Sequence, residues 1–169
     1  MAQTILSLLR DGLSGAKRIA VVTIGSELRG DDAAGMLVAQ GLEKKIKSAG
    51  KKTNMRIFAG GTAPENLTGE IIRYKPDEII IIDTVEMKKK PGSVVLLRPQ
   101  DMGKGATFST HTMPAKVLID YLMNSIKGSR VTFIGIQPKT LGFGKEPSTA
   151  VRKAVMEISS ALGTIGHKG

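Results

Sequence analysis

The sequence predicts an α/β domain: a three-layer α/β/α sandwich built on a mostly parallel, roughly five-stranded twisted sheet. Three observations predict it. Short β-rich runs recur along the chain and end at glycine, aspartate or another polar residue. Segments with apolar residues at helical spacing separate them, and strands alternating with helices wind into parallel sheets. The runs RIAVVTI (18–24) and EIIII (78–82) are continuously apolar, as in strands buried on both faces.

Each element has its own signal. Ile5, Leu8, Leu9 and Leu13 mark a short N-terminal helix. Arg18 to Ile24 is the first strand and Gly25 to Gly30 a loop. Asp31 and Asp32 open a helix carrying Val38, Leu42 and Ile46 on one face; acidic residues suit the positive end of a helix. NMRIFA (54–59) is a second strand, ending in Gly60-Gly61-Thr62. A helix follows from about Pro64 to Tyr74, with proline tolerated in its first turn. EIIII is the third strand, ending at Asp83, and SVVLLR (93–98) the fourth. Thr112 to Ser125 reads as a helix, RVTFIGI (130–136) as the last strand, and Val151, Val155, Ile158 and Leu162 as a closing helix. Residues 1–169 are thus expected to form one domain, with 1–16 as an N-terminal helical extension and 163–169 as a flexible tail.

Composition removes several function classes. A chain of 169 residues favours one core, and 41% apolar content is too high for a disordered tail. There is no cysteine, which excludes disulfides, thiolate metal sites and a cysteine nucleophile, and suits a reducing cytoplasm. Unbroken aliphatic runs are short, Ile79 to Ile82 for example, and far below the roughly 20 residues of a membrane span. The N-terminus has no basic segment ahead of its apolar residues and does not read as a signal peptide. A cytoplasmic protein without membrane insertion is expected. The net charge of +10 invites a nucleic-acid reading, but aromatics are only 4% of the chain and none interleaves with the lysine clusters 44–47, 51–52 and 88–90. The expectation is no nucleic acid, and a solvated basic surface or a protein partner instead.

Parallel sheets bind ligands at the C-terminal ends of their strands. Four places qualify: Gly25–Asp32, Gly60–Glu65, Asp83–Glu86 and Gln137–Gly144. Asp83 follows four isoleucines, so its carboxylate must be hydrogen-bonded, paired or metal-bound. Of Asp31 and Asp32, one can cap the helix while the other faces the site, because successive helical side chains point about 100° apart. His111, one of two histidines, precedes a helix and can serve as ligand or base. The other, His167, lies in the expected tail. Asp32, Asp83 and His111 together offer two carboxylates and one imidazole, a set that suits nickel or zinc. Each acid also has a plain structural reading, as a cap or loop anchor. Ser26, Ser109 and Ser148 lack a nucleophile elbow, and Thr23 to Gly30 is neither a dinucleotide nor a P-loop fingerprint.

At these residues the chain resembles the hydrogenase maturation proteases, and among them the hydrogenase 3 maturation endopeptidase type. Residues 24–35, IGSELRGDDAAG, look like the family's G-x-G-N-x-L-x-x-D-[DE]-G-x-G. Gly60-Gly61-Thr62 with Pro64-Glu65-Asn66 resembles its second loop. Ile81-Ile82-Asp83, Ser109-Thr110-His111 and Ile134-Gly135-Ile136-Gln137-Pro138 resemble three further segments, in order. Thr23, Ser26 and Ala33 depart from the pattern, and the loop is expected to differ in backbone freedom where threonine and alanine replace glycine.

The resemblance implies an aspartic-type or metal-dependent endopeptidase. Its substrate would be the nickel-loaded precursor of the nickel-iron hydrogenase large subunit, from which it removes a C-terminal extension. Asp32, Asp83 and His111 would be both the catalytic and the metal-binding residues. The nickel would be the one in the substrate, with zinc as a substitute in vitro. Either the metal polarises the scissile carbonyl or a carboxylate, preferably Asp32, activates water. Gly60, Gly61 and Thr62 are candidate substrate contacts; the alternative is that the glycines only make a tight turn. The rival functions are a non-catalytic nickel-binding maturation adaptor or metallochaperone on the same scaffold, a basic nucleic-acid module, and a nucleotide enzyme.

Overall fold

Among the described residues six strands carry the fold: β1 (Ile19–Ile24), β2 (Met55–Gly61), β3 (Glu78–Glu86), β4 (Val94–Leu97), β5 (Thr107–Phe108) and β6 (Arg130–Ile136). A computed structural model describes residues 4–102, 107–108 and 115–166 of the chain. The main sheet runs β2-β1-β3-β6-β4, with β4 antiparallel at one edge and the other pairings parallel. The two-residue β5 pairs antiparallel with the end of β3, Val85 opposite Phe108. The expected fold class is therefore observed, with β5 as an addition too short to leave a periodic signal.

Among the described residues five helices cover the sheet. α1 (Ile5–Gly12), α2 (Ala34–Ala49) and α5 (Thr149–Ile165) pack on one face; α3 (Thr68–Tyr74) and α4 (Ala115–Ser125) pack on the other. The two-residue strand period divides the isoleucines of β3 between them. Ile80 and Ile82 enter the first core, Ile79 and Ile81 the second, and none is exposed to solvent. Each buried side chain contributes about 1.5–3 kcal/mol of transfer free energy. That is enough to draw the acids at both ends of the run inside. Glu78 is buried at the lower end, where Thr132 donates to it at 2.8 Å, Arg130 at 3.0 Å and Arg98 at 3.4 Å.

Several elements differ from expectation. β3 continues to Glu86, so Asp83 lies inside the strand, paired with Gly135, and not at its end. The ladder to β6 and the added pair with β5 carry the strand past the aspartate. Gly30 to Ala33 form a 3-10 turn, and the N-cap of α2 is Ala33, with no side-chain bond, so neither aspartate caps α2. α5 runs to Ile165, which is buried with Leu162 and Gly163, so the expected tail at 163 is helix there; residues 167–169 lie outside the described residues. α1 is more than an extension: Leu9 and Leu13 are core residues packed with α5. The described part of the fourth helix begins at Ala115.

Asp77 ties the lower ends of the strands together. It accepts from the backbone N–H of Lys17 at 2.7 Å and of Arg18 at 2.8 Å. Burial pushes its carboxyl up, but those N–H groups outweigh it and hold the group below its ordinary 3.8. A carboxylate depressed in the folded chain stabilises it fully above the ordinary value, and that contribution fades as pH falls through the lowered one. Asp77→Asn should therefore cost stability near neutral pH, with the gap from wild type closing below about pH 4. Urea unfolding of both proteins across that range measures it; a gap independent of pH would remove the ionic contribution.

Candidate active site

The sheet order creates the crevice. From β1 the chain passes through α2 to β2 on one side, and β3 lies on the other, so the connections diverge above the C-terminal ends of β1 and β3. Such a switch point is where open α/β sheets bind ligands. Asp32 follows β1, and Asp83 is the first residue of β3 beyond the β1 ladder, which ends at Thr23 opposite Ile82. Asp32 is 5% exposed and Asp83 1%.

Glycine makes the turn into this crevice possible. Gly25 has φ +146° and donates its N–H to Gly61 O at 2.9 Å; a Cβ there would sit 2.0 Å from the carbonyl oxygen of Asp32. Thr23 and Ala33 need no such freedom, since Thr23 is in β1 and Ala33 has φ −68°. The departures from the glycine pattern therefore fall where glycine is not required. Gly25→Ala should cost about 1–3 kcal/mol through backbone strain alone, and more through the clash. Chemical denaturation measures it, and a neutral effect would mean the Asp32 turn can move freely.

Thr84 joins the two acids. Its N–H donates to Asp83 Oδ1 at 2.7 Å and its hydroxyl to Asp32 Oδ1 at 2.9 Å. The other oxygen of Asp32, Oδ2, accepts from Ser26 N–H at 3.1 Å. Both carboxylates are thus oriented by fixed donors. Two buried carboxylates held at one sheet edge by such donors are candidate oxygen ligands for a divalent cation. Thr84 is a site residue that sequence reasoning missed; its signal is a hydroxyl directly after the aspartate, on the opposite face of the strand. Ser26, where the family pattern has asparagine, orients Asp32 through its backbone.

Asp31 has a different task. It is fully buried and accepts from Lys139 N at 2.7 Å, Thr140 N at 3.0 Å, Ser148 N at 2.5 Å and Ser148 Oγ at 3.0 Å. It clamps the β1 loop to the 139–148 loop and fixes Ser148, whose hydroxyl caps α5 by accepting from Val151 N. Gln137 clasps the neighbouring loop in the same way: its Oε1 accepts from Met87 N and Lys89 N, and its Nε2 donates to Glu86 and Pro138 O. The N–H of Lys88 and the Gln137 amide hold the Glu86 carboxyl below its ordinary range.

Gly60 and Gly61 make the tight turn. Gly60 O accepts from Ala63 N, Gly61 O accepts from Gly25 N, and a Cβ on Gly60 would meet Pro64 at 2.8 Å. The turn accounts for both carbonyls, while β2 itself remains the outer strand of the sheet. Beside it, Glu65 Oε2 is buried with no hydrogen bond among the described residues. His111 and Ser109 lie outside the described residues, as does His167. Among the described residues no three His, Cys, Asp or Glu side chains are grouped as a metal site needs.

A family model described as hydrogenase maturation protease matches residues 36–164. The chain belongs to the hydrogenase maturation protease family. It is 32% identical over 142 residues to a hydrogenase 3 maturation protease of Escherichia coli, covering 84% of this chain and 86% of that one. It is 26% identical to a hydrogenase subunit delta of Methanothermobacter thermautotrophicus, over 86% of this chain and 94% of the other. Its fold superposes on the crystal structure of a nickel-iron hydrogenase maturation protease, HycI, from Thermococcus kodakarensis with TM-score 0.83 and 31% identity, covering 94% and 98% of the two chains. As a hydrogenase maturation protease the chain is a hydrolase of the endopeptidase class. Among its described residues no helix is long and apolar enough to cross a membrane.

Proposed function

We propose that the protein removes the C-terminal extension from the nickel-loaded precursor of a nickel-iron hydrogenase large subunit. The observation that carries this reading is the pair of buried carboxylates, Asp32 and Asp83, joined through Thr84 at the switch point between β1 and β3. Two oriented carboxylates are a fitting donor set for a divalent cation, and an imidazole beside them would favour nickel or zinc. His111 is the proposed third ligand. Phe108 is paired with Val85, two residues past Asp83. His111 follows Phe108 by three residues in the sequence, which supports its assignment to this crevice.

The residues divide the work. Asp83 and His111 hold the metal that the substrate brings, which checks that the precursor is loaded and places the scissile peptide. Bound there, nickel supplies Lewis acidity to the scissile carbonyl. Asp32, oriented by Ser26 N–H and the Thr84 hydroxyl, takes the proton of the attacking water. The outer side of β2, ending at Gly60-Gly61-Thr62, offers an edge along which an extended tail can add as a strand.

Mass spectrometry of the nickel-loaded precursor, incubated with the protein and with His111→Ala, tests the reading. Loss of a C-terminal peptide with the wild type alone is expected. A precursor that binds but keeps its full length points to the adaptor reading, which the relative named as a hydrogenase subunit favours.

A further inference from the structure

We propose that the rim formed by Leu28 and Phe143 beside the Asp32 turn is the docking surface for the body of the substrate protein. It would take an apolar side chain flanked by carboxylates, separate from the peptide that is cut. The proposal rests on the maturation protease reading and adds to it where the partner is gripped.

Phe143 is 77% exposed and Leu28 63%, among the most exposed of the large apolar side chains. Isolated exposed residues need no explanation, but these two belong to one surface. Gly144 N donates to Leu28 O at 2.8 Å, Gly30 N to Lys145 O at 3.0 Å and Arg29 Nε to Leu141 O at 3.3 Å. The Asp31 carboxylate fastens the same two loops from beneath. The apolar tips therefore stand on a stitched and buried base. A group held in place before binding loses less freedom on binding, which is what a docking anchor requires. Aromatic side chains in such positions are frequent energetic centres of protein interfaces.

Charge selects the partner. Arg29, Lys139 and Lys145 are exposed on these loops. The 88–90 lysines lie on the adjoining loop that Gln137 clasps through Met87 N and Lys89 N. Of the acids nearby, Glu146 is paired with Arg152 at 2.8 Å, while Glu27 and Glu86 keep their charge, bonded to the neutral amides of Gln40 and Gln137, and are outnumbered by the six cations. The rim thus presents an apolar centre with a cationic surround, complementary to an acidic protein face and able to steer its approach.

Binding and cleavage of the large-subunit precursor are measured in parallel for the wild type, a Leu28→Ser/Phe143→Ser variant and a Lys139→Glu/Lys145→Glu variant. Melting temperatures check the fold. The expected result is a rise in Kd of about 10–100-fold for the apolar variant. The charge variant should bind more slowly and with weaker salt dependence. Unchanged Kd in both rim variants, with folds intact, overturns the proposal. So does sedimentation showing a wild-type dimer that Phe143→Ser dissolves, which would make the occupant a second copy. Tight binding of a single-stranded RNA probe lost in the same variants would assign the rim to nucleic acid and also overturn it. A precursor that binds through the rim but is not shortened leaves this proposal standing while the protease reading fails.

Discussion

Asp31→Ala is expected to lower stability by about 3–5 kcal/mol, because it strands several neutral donors around one buried position. The carboxylate is fully buried and takes two backbone N–H groups at its Oδ2, together with the Ser148 hydroxyl, and a third N–H at its Oδ1. Alanine leaves those donors without an acceptor, and each buried unsatisfied group costs about 1–3 kcal/mol. Asparagine should rescue little, because its NH2 would face N–H donors at one oxygen position. For a domain of this size the loss corresponds to a fall in Tm of roughly 10–15 °C. Thermal unfolding followed by circular dichroism measures it. A fall equivalent to less than about 1 kcal/mol would mean that the 139–148 loop holds itself without Asp31.

The contrast between Asp31 and Asp32 marks the limit of what the sequence makes legible. The two residues are identical and adjacent, and a helix start tolerates acid at either. What separates them is contact with Thr140 and Ser148, 109 and 117 residues away, and with Thr84, 52 residues away. No local signal encodes those distances. The family pattern did single out Asp32, because the spacing of the motif carries the outcome of such contacts.

Burial patterns are the most legible part of the sequence. The buried runs of β1 and β3 and the apolar stripes of α2 and α5 are visible because burial on two faces or on one stripe dictates composition directly. The end of β3 was not legible. Asp83 interrupts the apolar run and reads as a terminus, yet the ladder with β6 extends through Thr84 opposite Ile136. Tertiary pairing overrides the low strand propensity of one aspartate. The consequence is functional, since continuing the strand turns Thr84 to the opposite face from Asp83, where its hydroxyl meets Asp32. The direction of β4 was also hidden, because an apolar run has no polarity.

Asp32→Asn should abolish most of the cleavage while leaving the fold intact, and Thr84 is the reason the two effects separate. The amide can turn its oxygen to the Ser26 N–H and its NH2 to Thr84, whose hydroxyl can rotate from donor to acceptor. The Ser26 and Thr84 hydrogen bonds at Asp32 Oδ2 and Oδ1 then each have a replacement, and the stability change should stay below about 1 kcal/mol. The charge has none. Without it the side chain cannot take a proton from water, and a lost general base typically lowers kcat by about 10²–10⁴-fold. Initial rates on saturating nickel-loaded precursor, with melting temperatures of the same samples, measure both. A rate within tenfold of wild type would take Asp32 out of the base role. Loss of rate accompanied by loss of precursor binding would place it among the anchors with Asp83, and water activation would then fall to the metal-polarised route. A large rate loss with binding and melting temperature preserved leaves proton transfer as the step that Asp32 performs, since orientation, packing and recognition would all have survived the substitution.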